Sequence, residues 1–203
     1  MHVHRSVGQV TFVTCDMVLG APDTISSVTD LIDRMDPDTI ALDLTVDDMT
    51  SLESDEVEDP FLAAHVADME EEAEEPPLTV YQRIVNWAED NDADLHPIGS
   101  RSSVGLSKAR RIKRTVKRAE GANVEDRARA GVDALLDDAQ VGPLTKRRQT
   151  SLVESLVSLL RREPPRTMAF FTFPWGEMVS ADVRRELGLR RMEGEKMAGG
   201  WPD

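Results

Sequence analysis

The segment Gln9 to Cys15, QVTFVTC, constrains this chain most, because an unbroken run of β-branched and aromatic residues fits a buried strand and little else. A helix is expected next: after Pro22, Asp23 or Thr24 caps a stretch whose apolar residues Ile25, Val28, Leu31, Ile32 and Met35 recur on one helical face. Asp36-Pro37-Asp38 ends it, since proline disfavours helical geometry in the residue before it, and Thr39 to Leu44, TIALDL, resumes as a second strand. A connection of about 12 helical residues predicts two parallel strands, side by side.

The remaining chain extends this unit. From Asp47 to Glu75 it is strongly acidic, and Phe61 to Met69 carries only a weak helical pattern before EEEAEE and Pro76-Pro77, which reads as a solvated helix or a mobile excursion. Leu78 to Glu89 is a firmer helix, with Val80, Ile84, Val85 and Ala88 inward, and Asp94 to Pro97 is a short strand. Three helices fit the next stretch: Ser103 to Ala119, Val124 to Asp138 and Leu144 to Arg162. Thr167 to Phe173, TMAFFTF, is again a strand, and Val179, Val183 and Leu187 mark a last helix that stops at Gly188. The expectation is an α/β fold in one domain, 1–203. It has a small, mainly parallel sheet (strands near 9–15, 39–44, 94–97 and 167–173), flanking helices, an acidic excursion at 47–77 and a helical segment at 98–163. Both ends, including the closing KMAGGWPD, read as loose.

At 203 residues such a domain can bury a core without disulfides, and the single cysteine, Cys15, allows no internal one. Its neighbours Phe12, Val13 and Met17 imply a packed thiol. No signal-length or membrane-length apolar run occurs, so a cytoplasmic protein without membrane attachment is expected. Net charge is −14, with 21 Asp, 19 Arg and 5 Lys. Such an acidic surface suits a salt-rich cytoplasm like that of a halophilic archaeon, where ions screen carboxylate repulsion. The charge is also polarised: residues 1–100 carry 24 acidic and 3 basic side chains, residues 101–203 carry 14 and 21. The two halves therefore attract each other.

Asp16 and Asp43 close or nearly close their strands, at the edge where open α/β sheets place their sites. On adjacent parallel strands the two carboxylates would approach, giving a candidate catalytic pair for acid chemistry or for a hard divalent cation; alternatively Asp16 starts a turn and Asp43 bonds loop amides. The basic segment KARRIKRTVKR presents Lys108, Arg111, Lys113, Arg114, Lys117 and Arg118 as candidate nucleic-acid contacts around an inward stripe of Ala109, Ile112, Val116 and Ala119. The same pattern serves a solvated face or one docked on the acidic half. Trp175, in Pro174-Trp175-Gly176, is placed to floor a ligand pocket or to pack over the sheet end. His2-x-His4 puts two imidazoles on one side of an extended segment but has no third ligand in view, so neither metal nor cofactor is expected.

The order of QVTFVTCDMV, DLIDRMDPDTIALDL and RTMAFFTFPWGEMVSADVRREL resembles the TraB/PrgY family, related to the Tiki proteins, across about half the chain. In that family the first and last of these strands carry Gly-x-x-His, and the middle strand a Glu with a nearby Arg. Here Val13-Thr14-Cys15-Asp16 and Phe170-Phe171-Thr172-Phe173 stand in place of the histidine motifs, and Asp43 and Asp48 in place of Glu and Arg. Thr14, Leu44 and Gly176 agree with the pattern. The resemblance implies a relative that has lost its imidazole ligands and is catalytically silent, acting by binding a protein partner or by self-association. A cation-dependent hydrolase and a nucleic-acid-associated protein are the alternatives.

Overall fold

The computed structural model describes residues 1–21, 23–52, 57–69, 73, 75–100, 104–162, 164, 166–191 and 201. Its centre is a six-stranded mixed sheet built from β1 (His2–Val7), β2 (Thr11–Met17), β3 (Thr39–Leu42), β4 (Asp94–Pro97), β5 (Thr167–Thr172) and β6 (Arg190–Arg191). The spatial order is β4-β3-β5-β2-β1-β6. The four strands β4, β3, β5 and β2 run parallel to one another, and β1 joins β2 and β6 antiparallel. An α/β fold with a mainly parallel sheet is therefore present, and each strand expected from the sequence exists.

Two expectations are corrected. The N-terminal segment is not loose: it is β1, which completes a hairpin with β2 in the register His2 opposite Asp16 to Val7 opposite Thr11. And β2 and β3, though parallel, are not side by side, because β5 pairs with both and lies between them. TMAFFT is buried at all six positions, as a strand held between two parallel neighbours and covered on both faces must be.

Eight helices flank the sheet among the described residues: α1 (Thr24–Met35), α2 (Val46–Thr50), α3 (Pro60–Met69), α4 (Thr79–Asp90), α5 (Leu106–Lys117), α6 (Val124–Asp137), α7 (Gly142–Leu160) and α8 (Trp175–Leu187). Strand alternation sorts the sheet's side chains onto two cores. Val13, Cys15, Met17, Ile40, Leu42, Met168 and Phe170 face α1 and α4, while Phe12, Ala41, Ala169 and Phe171 face α5 to α8. Helix α3 contributes to both, Leu62 and Val66 to the first and Phe61 and Ala64 to the second. Its burial corrects the expectation of a solvated excursion there. The helix is apolar on nearly every side, which blurs the amphipathic period that would have announced it. Parts of the acidic stretch, 53–56, 70–72 and 74, lie outside the described residues, as does most of the tail; Trp201 within it packs on the first core and donates to the Met35 carbonyl.

At the amino ends of β3 and β5, Arg166 forks onto Asp38 at 2.7 and 2.5 Å and onto Asp36 at 2.8 Å. Ligand-bearing edges of such sheets lie at the opposite, carboxyl ends. There the chain places the buried aspartates Asp16, Asp43, Asp48 and Asp59.

Candidate functional site at the carboxyl edge of the sheet

Beyond β3 the Asp43 N–H still donates to the Phe170 carbonyl at 3.1 Å, so Asp43 is held at the end of the ladder. Two residues on, Thr45 caps α2: its hydroxyl accepts from the Asp48 N–H at 3.0 Å and donates to Asp48 Oδ2 at 2.7 Å. Asp48 Oδ1 then accepts from the N–H groups of Glu58 at 2.6 Å and Asp59 at 3.3 Å, which tethers the start of α3 over the sheet edge. Asp59 accepts from the Phe61 N–H at 2.9 Å and presents Oδ2 to Arg148, whose Nε and Nη2 donate at 3.0 and 2.9 Å.

Arg148 joins the two halves of this network. Its Nη2 is 3.9 Å from Asp43 Oδ2, and its guanidinium lies 4.7 Å from the Trp175 ring centroid and 5.7 Å from that of Phe61. Asp43 Oδ1 accepts the Tyr81 hydroxyl at 2.5 Å, and Oδ2 accepts the Thr172 N–H at 2.8 Å. Because Tyr81 gives its proton to Asp43, the Thr172 hydroxyl donates to Tyr81, at 2.8 Å. Asp43, Tyr81, Asp59, His65, Arg148 and Trp175 are all buried.

Burial sets the electrostatics. Desolvation pushes Asp43 above the ordinary carboxylate range and outweighs the opposing pull of Arg148 and the Tyr81 hydrogen bond. Tyr81 is pushed up by burial and by Asp43 beside it. For Arg148 burial works downward, but Asp59 and Asp43 outweigh it, and the guanidinium stays charged. His65, on the same face of α3 as Phe61, is lowered to about 4 by burial and then by Arg148. Its Nε2 has no hydrogen-bond partner among the described residues, so a neutral imidazole sits beside a charged guanidinium.

Asp16 is spent elsewhere. Its two oxygens accept the N–H groups of Gly176 at 2.6 Å and Glu177 at 2.8 Å, satisfying the first turn of α8 from a neighbouring strand. A Cβ at position 176 would meet Asp16 Oδ1 at 2.7 Å, so glycine is required for the close approach. His4 Nε2 lies 3.5 Å from Asp16 Oδ2, while His2 stacks on Phe173 at 5.0 Å and pairs with Glu125 at 3.0 Å. The two histidines thus share a face of β1 yet turn to different carboxylates, and among the described residues no group of three or more His, Cys, Asp or Glu side chains is arranged to hold a metal.

The two candidate catalytic carboxylates are therefore not brought together: β5 stands between their strands, and each is held by its own donors. Trp175 does not floor an open pocket. It is buried beneath Arg148, with Phe61 edge-on at 6.2 Å. A surface cleft of about 570 Å³ lies instead between α7 and α8, where Val153, Val157, Arg161, Asp182 and Glu186 line it. Cys15 is buried, and burial pushes its thiol far up, as a packed cysteine requires.

Of the six basic residues singled out, Lys108, Lys113, Arg114, Lys117 and Arg118 are exposed on or just beyond α5. Arg111 differs, donating to Asp138 at 2.7 Å and Gln140 at 3.2 Å, and so ties α5 to the end of α6.

Sequence reasoning missed Tyr81, Asp59, His65 and Arg148. The signal for Arg148 was available: it stands four residues before Leu152 and eight before Leu156, a cation on the apolar stripe of α7. Tyr81 likewise precedes Ile84 and Ala88 on the buried face of α4. No helix among the described residues is long and apolar enough to cross a membrane. No family model, no curated protein and no solved structure matches the chain.

Proposed function

We propose that the chain is a TraB-like α/β protein that is catalytically silent and acts by binding or assembly in a salt-adapted cytoplasm. One observation carries this reading: at the sheet edge where such folds place their chemistry, both candidate carboxylates are fully buried and used as internal hydrogen-bond acceptors. A general acid or a cation ligand must reach substrate, whereas Asp16 holds the start of α8 and Asp43 holds Tyr81 and β5. The positions where the family carries its first histidine and its glutamate, Asp16 and Asp43, are here structural acceptors. The aromatic pair Phe61 and Trp175 and the arginine between them fill the space above the edge. The excess of aspartate over lysine supports the salt-adapted setting.

Titration calorimetry with Mg²⁺, Mn²⁺ and Zn²⁺ tests the reading. The expected result is no saturable heat in the wild type. Saturable binding that vanishes in Asp16→Asn or Asp43→Asn would replace this reading by a cation-dependent hydrolase.

A further inference from the structure

We infer that the outer face of α5 is a binding surface for the phosphate backbone of a nucleic acid. This rests on the binding part of the reading above, not on its salt-adapted setting, and names the partner. From Leu106 to Ala119 the chain contains no acidic residue, although it is strongly acidic overall. Arg110, Arg114 and Arg118 recur every four residues and are exposed, and Lys113 and Lys117 form a second exposed row three residues offset from the first. A step of four residues advances about 6 Å along a helix, so each row repeats its charge at that interval.

Among the described residues, Lys108, Arg110, Lys113, Arg114 and Arg118 have no ion-pair partner, whereas other basic side chains nearby do: Arg111 holds Asp138 and Arg129 holds Glu177. The helix is fixed from behind by Ile112 and Val116, buried against α3 and α6. The face is therefore preorganised, not a flexible tail that must be ordered on binding. A polyphosphate fits it best. Guanidinium groups match phosphate oxygens two at a time, and a duplex presents one charge per about 1.7 Å of axis, dense enough to meet both rows at once. A lipid surface fits less well, since the apolar residues of α5 are turned inward and Leu106 is its one exposed large hydrophobic side chain.

Fluorescence anisotropy with a labelled 20-base-pair DNA duplex, and with single-stranded RNA of one of its strands, between 0.05 and 0.3 M KCl tests this. Five phosphate contacts imply a log–log salt slope of about −4.5 on the duplex, so that doubling the salt weakens binding about 20-fold. The Lys113→Glu, Arg114→Glu variant, shown to be folded by circular dichroism, is expected to lose binding. The charge-matched Arg162→Glu, Arg185→Glu variant, on exposed positions at the end of α7 and on α8, should bind as the wild type does. Absence of binding to either nucleic acid at 0.05 M KCl, undiminished binding by the α5 variant, or capture by phosphatidylserine vesicles without nucleic-acid binding would overturn the inference. None of these results bears on the calorimetric test, so the two readings fail separately.

Discussion

Lowering the pH should destabilise this protein in part through His65, by an amount the structure sets. In the fold His65 protonates only at about 4, because burial and Arg148 oppose a second positive charge there. In the unfolded chain an imidazole protonates near 6.5. The folded value is depressed, and so the unfolded state takes up the proton first as pH falls. The stabilisation is complete above about 6.5 and is lost progressively between there and about 4. Two and a half units correspond to roughly 3 kcal/mol, of which about 2 to 3 is lost by pH 4.5, a large share of the 5–15 kcal/mol typical of a domain. The assay is urea unfolding followed by tryptophan fluorescence at fixed KCl, from pH 7.5 to 4.5, on the wild type and on His65→Gln, whose amide does not titrate in this range. Asp43, whose raised pKa works in the opposite sense, is common to both proteins and cancels in their difference. The difference in unfolding free energy should fall by about 2 to 3 kcal/mol across the range. A difference that stays constant with pH would refute the reasoning, since it would mean that His65 meets water, or an acidic partner, in the folded state.

Other outcomes follow from the same network. Asp16→Ala removes both acceptors from the first turn of α8 and should cost roughly 2 to 3 kcal/mol in urea unfolding at pH 7, more than an exposed cap, because Gly176 and Glu177 lose charge-assisted bonds in the interior. Arg148→Met leaves Asp59 buried without its cation and should cost about 3 to 5 kcal/mol, while the double variant with Asp59→Asn should recover a substantial part of that loss in the same assay. Raising KCl from 0.1 to 2 M should raise the thermal midpoint by several degrees, because a chain of net charge −14 is relieved of self-repulsion; a flat or falling midpoint would count against salt adaptation.

Much of the fold could be read from periodicity. The segments TFVTCDM, TIAL, DLHP and TMAFFT are strands, and the amphipathic stripes of α1, α4, α6 and α7 end within a few residues of where pattern places them. What periodicity does not encode is strand order. Local pattern says that β2, α1 and β3 form one unit, but only the competition for the most buried place in the sheet inserts β5 between them, and that competition is settled by residues more than a hundred positions away. The hairpin strand β1 escaped for a different reason: three of the six residues of HVHRSV are histidine or arginine, and its partner β2 makes it a strand more than its own composition does.

The candidate site was half legible. Position at the end of a strand picks out Asp16 and Asp43. Their internal hydrogen bonding is invisible in sequence, since it comes from the first turn of α8, from Tyr81 on α4 and from Thr172 on β5. Arg148 and His65 were hidden in helices whose other inward residues are mostly apolar, where a polar residue reads as an interruption of the stripe until three-dimensional contact shows Arg148 facing Asp59 and Trp175.

The central claim is that the carboxylates at the sheet edge are internal structural acceptors. Carbon-13 NMR titration of the aspartate carboxyl groups, with Asp43 assigned by its absence from Asp43→Asn, addresses it most directly. The Asp43 signal should titrate above the ordinary carboxylate range, as burial dictates, and should not respond to added Mg²⁺. A signal that titrates at or below the ordinary range and shifts on adding Mg²⁺ would contradict it.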